Sequence, residues 1–139
     1  MSPSAPWLDL PEALERQLWQ HARRVWPQEC VGMLGGRRAG GGWQARALYP
    51  LLNVAASSER EYLAGAAGVL RAWKAMREEG LELAAIYHSH PRGPAQFSRS
   101  DQQQAAYDVP YLIADVVSGQ LGAFLLPQGV VCELRLGGD

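Results

Sequence analysis

The chain has 139 residues, a formal net charge of -1, 47% hydrophobic and 19% charged residues. That length holds one ordinary domain, expected over residues 1–139 with its core at about 10–136, and the composition excludes a disordered tail or a coiled coil. Thirteen basic against fourteen acidic residues offer no attraction for a phosphate backbone, and no run approaches the roughly 18 apolar residues of a membrane span, so neither nucleic acid nor membrane is an expected partner.

No basic-then-apolar leader precedes residue 14. The two cysteines, Cys30 and Cys132, form neither a disulfide framework nor a zinc-ribbon spacing, which makes a reducing cytoplasm the expected setting.

In chain order, the first helix is predicted after Asp9, with Pro11 in its first turn and Leu14, Leu18, Ala22 and Val25 on one face. Pro27 stops it. Residues 31–34 read as a short buried strand, Gly35 and Gly36 open a glycine-rich turn that runs through residues 39–42, and residues 43–49 return as a second strand. A second helix is predicted over 66–79, with Val69, Leu70, Trp73 and Met76 on its apolar side and Gly80 as its C-terminal stop. Residues 83–87 form an apolar strand that ends in His88-Ser89-His90-Pro91, and a third helix is predicted over 98–108. Three strands then follow, at 111–117, 121–126 and 130–136, in the rhythm of an antiparallel meander. Helices and strands intermix without regular beta-alpha-beta alternation. The predicted class is α+β, a single domain with one mixed or largely antiparallel sheet flanked by helices.

His88 and His90 share one face of a strand end, about 6.6–7 Å apart along the chain, near enough for both rings to reach one ion. A carboxylate, Asp101, follows eleven residues after His90 at a helix start. Two imidazoles and one carboxylate suit zinc with a position left for water, and equally suit non-haem ferrous iron. Ser98 and Asp101 also have the spacing of a capping box, which is compatible with a ligand role because helix-start geometry fixes Asp101 near the strand end. Glu29, between Pro27 and the strand at Val31, reads by itself as a surface residue.

Taken together these residues resemble the JAMM, or MPN+, zinc metallopeptidase family. Its pattern is a glutamate entering an early strand, then His-x-His-Pro, six residues, and Ser-x-x-Asp. Here Glu29-Cys30-Val31-Gly32-Met33-Leu34-Gly35-Gly36 is followed by His88-Ser89-His90-Pro91, residues 92–97, and Ser98-Arg99-Ser100-Asp101. The resemblance spans about residues 10–136. It implies the layered fold of that family, similar to cytidine deaminases, with one zinc per chain on His88, His90 and Asp101. It further implies Glu29 as general base and then acid, and Ser98 as donor to the developing oxyanion.

The family also implies a substrate. The insertions by which the larger deubiquitinases grip ubiquitin chains have no counterpart here, since residues 92–97 lead directly into the Ser-x-x-Asp segment. Compact prokaryotic relatives act on ubiquitin-like and sulfur-carrier proteins after the C-terminal Gly-Gly, so hydrolysis of that amide is the expected activity. A non-catalytic scaffold, known in family members that have lost ligands, is the alternative; the presence of every motif residue argues against it.

Three further residues are expected to be structural: His21 as a packed helix residue, Cys132 as core, and Cys30 as unreactive because no histidine is left to activate it. The C-terminal Leu134-Arg135-Leu136-Gly137-Gly138-Asp139 resembles a ubiquitin-like tail, which chance explains better because Asp139 follows the diglycine.

Overall fold

A computed structural model describes residues 5–137. Its elements are β1 (Trp7–Leu10), α1 (Glu12–Arg24), β2 (Val31–Ala39), β3 (Gly42–Leu51), α2 (Ala66–Glu78), β4 (Glu82–His90), α3 (Arg99–Gln104), β5 (Pro110–Asp115), β6 (Gln120–Leu125), β7 (Val130–Val131) and β8 (Glu133–Leu136). The strands form one mixed sheet in the order β7-β6-β5-β4-β2-β3-β1-β8. Pairing is antiparallel except for β1 with β3, β1 with β8, and β4 with β5. This is the α+β class expected.

The β7 and β8 strands are consecutive in the chain, with Cys132 alone between them, yet they stand at opposite edges of the sheet. The sheet therefore curls until its edges approach. The Cys132 N–H donates to the Ala123 carbonyl of β6 at 2.8 Å, and the next N–H, of Glu133, donates to the Pro6 carbonyl beside β1 at 2.7 Å. The predicted strand at 130–136 is thus corrected: its first two residues complete the meander, and its last four cross to form the opposite edge of the sheet beside β1, a strand the sequence did not announce. Of the C-terminal tail, Gly138 and Asp139 lie outside the described residues.

Side chains alternate across each strand, and this alternation divides the core in two. On one face Leu14, Leu18, Trp19 and Ala22 of α1 pack with Leu34, Tyr87, Leu112 and Cys132. On the other, Ala72 and Met76 of α2 pack with Met33, Ile86, Tyr111 and Ile113. The α1 face is as predicted, and Cys132 is buried in the core as expected. The α2 stripe is corrected at Leu70, which is 69% exposed, whereas Ala72 is buried.

Two further boundaries move. Gly35 and Gly36 do not turn the chain: β2 continues through them with an irregularity in register, and the turn comes at Gly40, whose φ of +60° is the left-handed conformation glycine adopts freely. The third helix stops at Gln104 instead of reaching Asp108 because the Tyr111 hydroxyl accepts the N–H groups of Ala106 and Tyr107 at 3.0 and 3.1 Å, taking donors a longer helix would use. Among the described residues no helix is long and apolar enough to cross a membrane.

Candidate metal centre

The His-x-His segment is the end of β4, at the centre of the sheet between β2 and β5. Alternation sends Tyr87 and Ser89 toward the α1 face and His88 and His90 toward the other. His88 lies opposite Val31 in the β2–β4 ladder, so the two residues just before β2 stand beside the histidines. Glu29 is one of them. It is 5% exposed, not the surface residue its isolated position suggests.

Three donors converge. The Nε2 atoms of His88 and His90 are 3.2 Å apart. Asp101 places Oδ1 3.1 Å from the first and Oδ2 3.3 Å from the second. A tetrahedral ion with bonds of about 2.0–2.1 Å has edges of about 3.3–3.4 Å, so each separation is close to such an edge, with one Asp101 oxygen facing each imidazole. Donor atoms of Glu29, His88 and His90 also lie within 4.8 Å of one another, and these three too could hold a metal. Two carboxylates, of Asp101 and Glu29, therefore reach one histidine pair.

Each donor is held by local structure. Ser98 caps α3: its hydroxyl accepts the Asp101 N–H at 3.0 Å, and the Asp101 carboxylate accepts the Ser98 N–H at 2.8 Å. The predicted capping box and the convergence of Asp101 on the histidines are the same arrangement. His90 donates from Nδ1 to the Pro94 carbonyl at 2.8 Å, which leaves Nε2 for the cluster. His88 is fully buried and stacked on Tyr62, with ring centroids 4.4 Å apart, while its Nδ1 has no hydrogen-bond partner among the described residues. Glu29 is fixed through its backbone: its N–H donates to the Ser58 carbonyl at 2.7 Å and its carbonyl accepts from Asn53 Nδ2 at 2.9 Å.

The electrostatics differ between the two imidazoles. Burial pushes His88 below the ordinary histidine range. Burial acts the same way on His90, but hydrogen bonds to Asp101 and the Pro94 carbonyl outweigh it and the net direction is upward. Burial also works to raise Asp101, yet the hydrogen bonds from His88 and His90 hold its carboxyl well below the usual range. Glu29 is raised to about 7, first by burial and then by the nearby Asp101 and Glu61 charges, with His90 opposing. A carboxylate near 7 is poised to take and return a proton at neutral pH.

Glu29, His90 and Ser98 line one cleft of about 380 Å³, together with the exposed Arg60 and Arg92. The sequence reading missed Asn53, Tyr62 and Pro94. Asn53 binds three carbonyls and two N–H groups across residues 29–63; a lone asparagine between Leu51-Leu52 and Val54-Ala55-Ala56 was its one available signal. Nothing in the sequence marks Tyr62 or the Pro94 carbonyl.

The residues expected to be structural sit apart from the cluster. His21 is buried on the α1 face, its Nδ1 2.7 Å from the Tyr87 hydroxyl. Cys30 is buried and its thiol is pushed up to about 11 by burial, which suppresses the thiolate a nucleophile needs.

A family model described as prokaryotic homologs of the JAB domain matches residues 11–127. The chain belongs to this family. The JAB match covers α1 through β6 and so contains every residue of the cluster. This JAB chain is 42% identical over 122 residues, 88% of its own length and 78% of the relative's, to a "Probable TtuB-protein conjugate cleaving protease" of Thermus thermophilus. Its fold matches the solution structure of a Desulfitobacterium hafniense protein with a TM-score of 0.85 at 30% identity, covering 95% of this chain and 94% of that one. A Salinibacter ruber protein matches at a TM-score of 0.66 and 26% identity, covering 94% and 91%.

Proposed function

We propose that this JAB-family chain is a zinc-dependent peptidase or isopeptidase that hydrolyses the amide bond after the C-terminal Gly-Gly of a ubiquitin-like or sulfur-carrier protein. The observation that carries the reading is the mutual spacing of 3.1–3.3 Å among His88 Nε2, His90 Nε2 and the Asp101 carboxylate, with buried Glu29 alongside. The relative from Thermus thermophilus, named for cleaving a TtuB-protein conjugate, supports the choice of substrate class.

In this reading His88, His90 and Asp101 hold one zinc ion per chain, and Glu29 stays outside the ligand set. His88, His90 and Asp101 would hold the zinc, which would supply Lewis-acid chemistry toward a carbonyl and a water near neutral pH. Glu29 accepts the proton of the attacking water and later delivers it to the leaving amine, a role open to a buried carboxylate outside the ligand set. The Ser98 hydroxyl accepts from the Asp101 N–H, so its own proton remains available to an oxyanion in the cleft. The cleft lined by Glu29, Arg60, His90, Arg92 and Ser98 is the proposed seat of an extended, slim tail such as Gly-Gly.

The test incubates the purified protein with a sulfur-carrier protein fused through its Gly-Gly to a reporter, with and without chelator, and reads intact masses. The expected product is the carrier ending in Gly-Gly, formed only in the absence of chelator. An uncut fusion, or cleavage indifferent to chelator, contradicts the reading.

A further inference from the structure

We propose that Gly93 and Asp115 are positioning residues for the candidate metal site, the Asp115 carboxylate being the surface against which Gly93 rests so that the Pro94 carbonyl stays on His90 Nδ1. The inference depends on the reading of His90 as a ligand, and it extends that reading to two residues that touch neither metal nor substrate.

A carbonyl oxygen can only accept, so the 2.8 Å contact between Pro94 O and His90 Nδ1 requires the proton to sit on Nδ1. In the neutral ring Nε2 then carries the free lone pair, which is what a ligand must offer. Remove the carbonyl and the preference reverses, because Nε2–H has an acceptor of its own in Asp101 Oδ2 at 3.3 Å. The position of Pro94 therefore decides which nitrogen is bare.

Pro94 is positioned by its neighbour. The Gly93 N–H closes a turn onto the His90 carbonyl at 3.0 Å, and Gly93 has φ of +71°. A Cβ on Gly93 would lie 2.8 and 2.9 Å from the two Asp115 carboxylate oxygens, so its backbone packs directly on that group. Glycine is needed here for conformation and for space.

Asp115 is a firm surface. It is buried at the end of β5, in parallel register with His90, and the adjacent Val116 N–H donates to the His90 carbonyl at 3.3 Å. Its Oδ1 accepts the Val117 N–H at 2.9 Å, and its Oδ2 accepts the Ser118 hydroxyl at 2.6 Å. Among the described residues it has no salt-bridge partner. Its charge is held by the turn it caps, and the face left over meets Gly93.

A role confined to that turn is the competing explanation, and Gly119 separates the two. It lies in the same turn with φ of +77° and, among the described residues, nothing within 4 Å of an added Cβ, so Gly119→Ala strains the turn without touching Gly93. The experiment records the ring-nitrogen NMR of 15N-histidine-labelled metal-free protein at alkaline pH, where the imidazoles are neutral, and measures zinc affinity by competition with a chromophoric chelator.

Wild type and Gly119→Ala should both show His90 protonated on Nδ1 and bind zinc alike. Gly93→Ala and Asp115→Ala should move His90 toward the Nε2–H form and weaken zinc about 10- to 100-fold, the range typical of lost outer-shell support. If Gly93→Ala does not fold, Asp115→Ala decides alone. Retention of Nδ1–H with unchanged zinc affinity, or an equal loss in Gly119→Ala, overturns the proposal. A wild type that binds no zinc, while Gly93→Ala and Asp115→Ala still shift the tautomer, overturns the ligand reading and leaves the positioning role standing.

Discussion

The Ser89 hydroxyl, carried by the residue between the two site histidines, accepts the backbone N–H of Cys30 at 2.8 Å, and the Ser89 N–H donates to the Cys30 carbonyl at 3.1 Å. Ser89 points to the opposite face of β4 from His88 and His90, so it stays out of the cluster while tying the strand that bears them to the residue next to Glu29. Glu29 and the histidines thus share one backbone junction. Ser89→Ala leaves the buried Cys30 N–H without its partner, which costs about 1–3 kcal/mol. Thermal melting should show that loss and kcat should fall more than KM rises, with zinc content unchanged; an unaltered melt and turnover would contradict the junction's role.

Glu29→Gln removes the proton acceptor and keeps the shape. Because Glu29 is proposed to lie outside the ligand set, the variant should retain its zinc by elemental analysis. Turnover of a Gly-Gly fusion should drop about 10²- to 10⁴-fold. Activity close to wild type is incompatible with Glu29 as the base.

Ser98 has two separable jobs. Its hydroxyl oxygen caps α3, and its hydroxyl proton is proposed to meet the oxyanion. Ser98→Ala should therefore lose about 1 kcal/mol of stability from the missing cap and about 10²- to 10³-fold in kcat from the missing donor. Chemical denaturation and steady-state kinetics on the same preparation read the two effects; a stability loss with normal kcat would leave Ser98 as a cap alone.

His21 makes stability depend on pH. Burial, with a smaller contribution from Arg24, lowers it from 6.5 to about 4 in the folded chain. The unfolded chain thus binds a proton at His21 between those values while the folded chain does not, so the His21 contribution is complete above about pH 6.5 and is lost as pH falls toward 4. His21→Asn should flatten the urea midpoint between pH 6.5 and 4 relative to wild type. Parallel curves for the two proteins would show that His21 is not the titrating group.

The spacing of His88, His90, Ser98 and Asp101 was legible because each pair is local: a strand places i and i+2 on one face, and a helix cap fixes Ser98 to Asp101. Glu29 was legible only through the family pattern, since its burial depends on Asn53 and the Ser58 carbonyl reaching over it from a distant segment. Helices α1 and α2 followed from their apolar periodicity. Strand partners did not follow from any pattern: nothing in residues 133–136 says that they leave β7 and pair with β1, because alternation reports a face and not a neighbour. Gly35 and Gly36 misled for a related reason, as a glycine within a strand and one in a turn look alike until the partner strand is known.

Anomalous diffraction at the zinc edge, on crystals of the protein purified without added metal, tests the central claim most directly. One peak per chain should lie about 2.0–2.1 Å from His88 Nε2, His90 Nε2 and an Asp101 carboxylate oxygen, with Glu29 beyond bonding distance. No peak there, or one bonded by Glu29 in place of Asp101, would contradict the account.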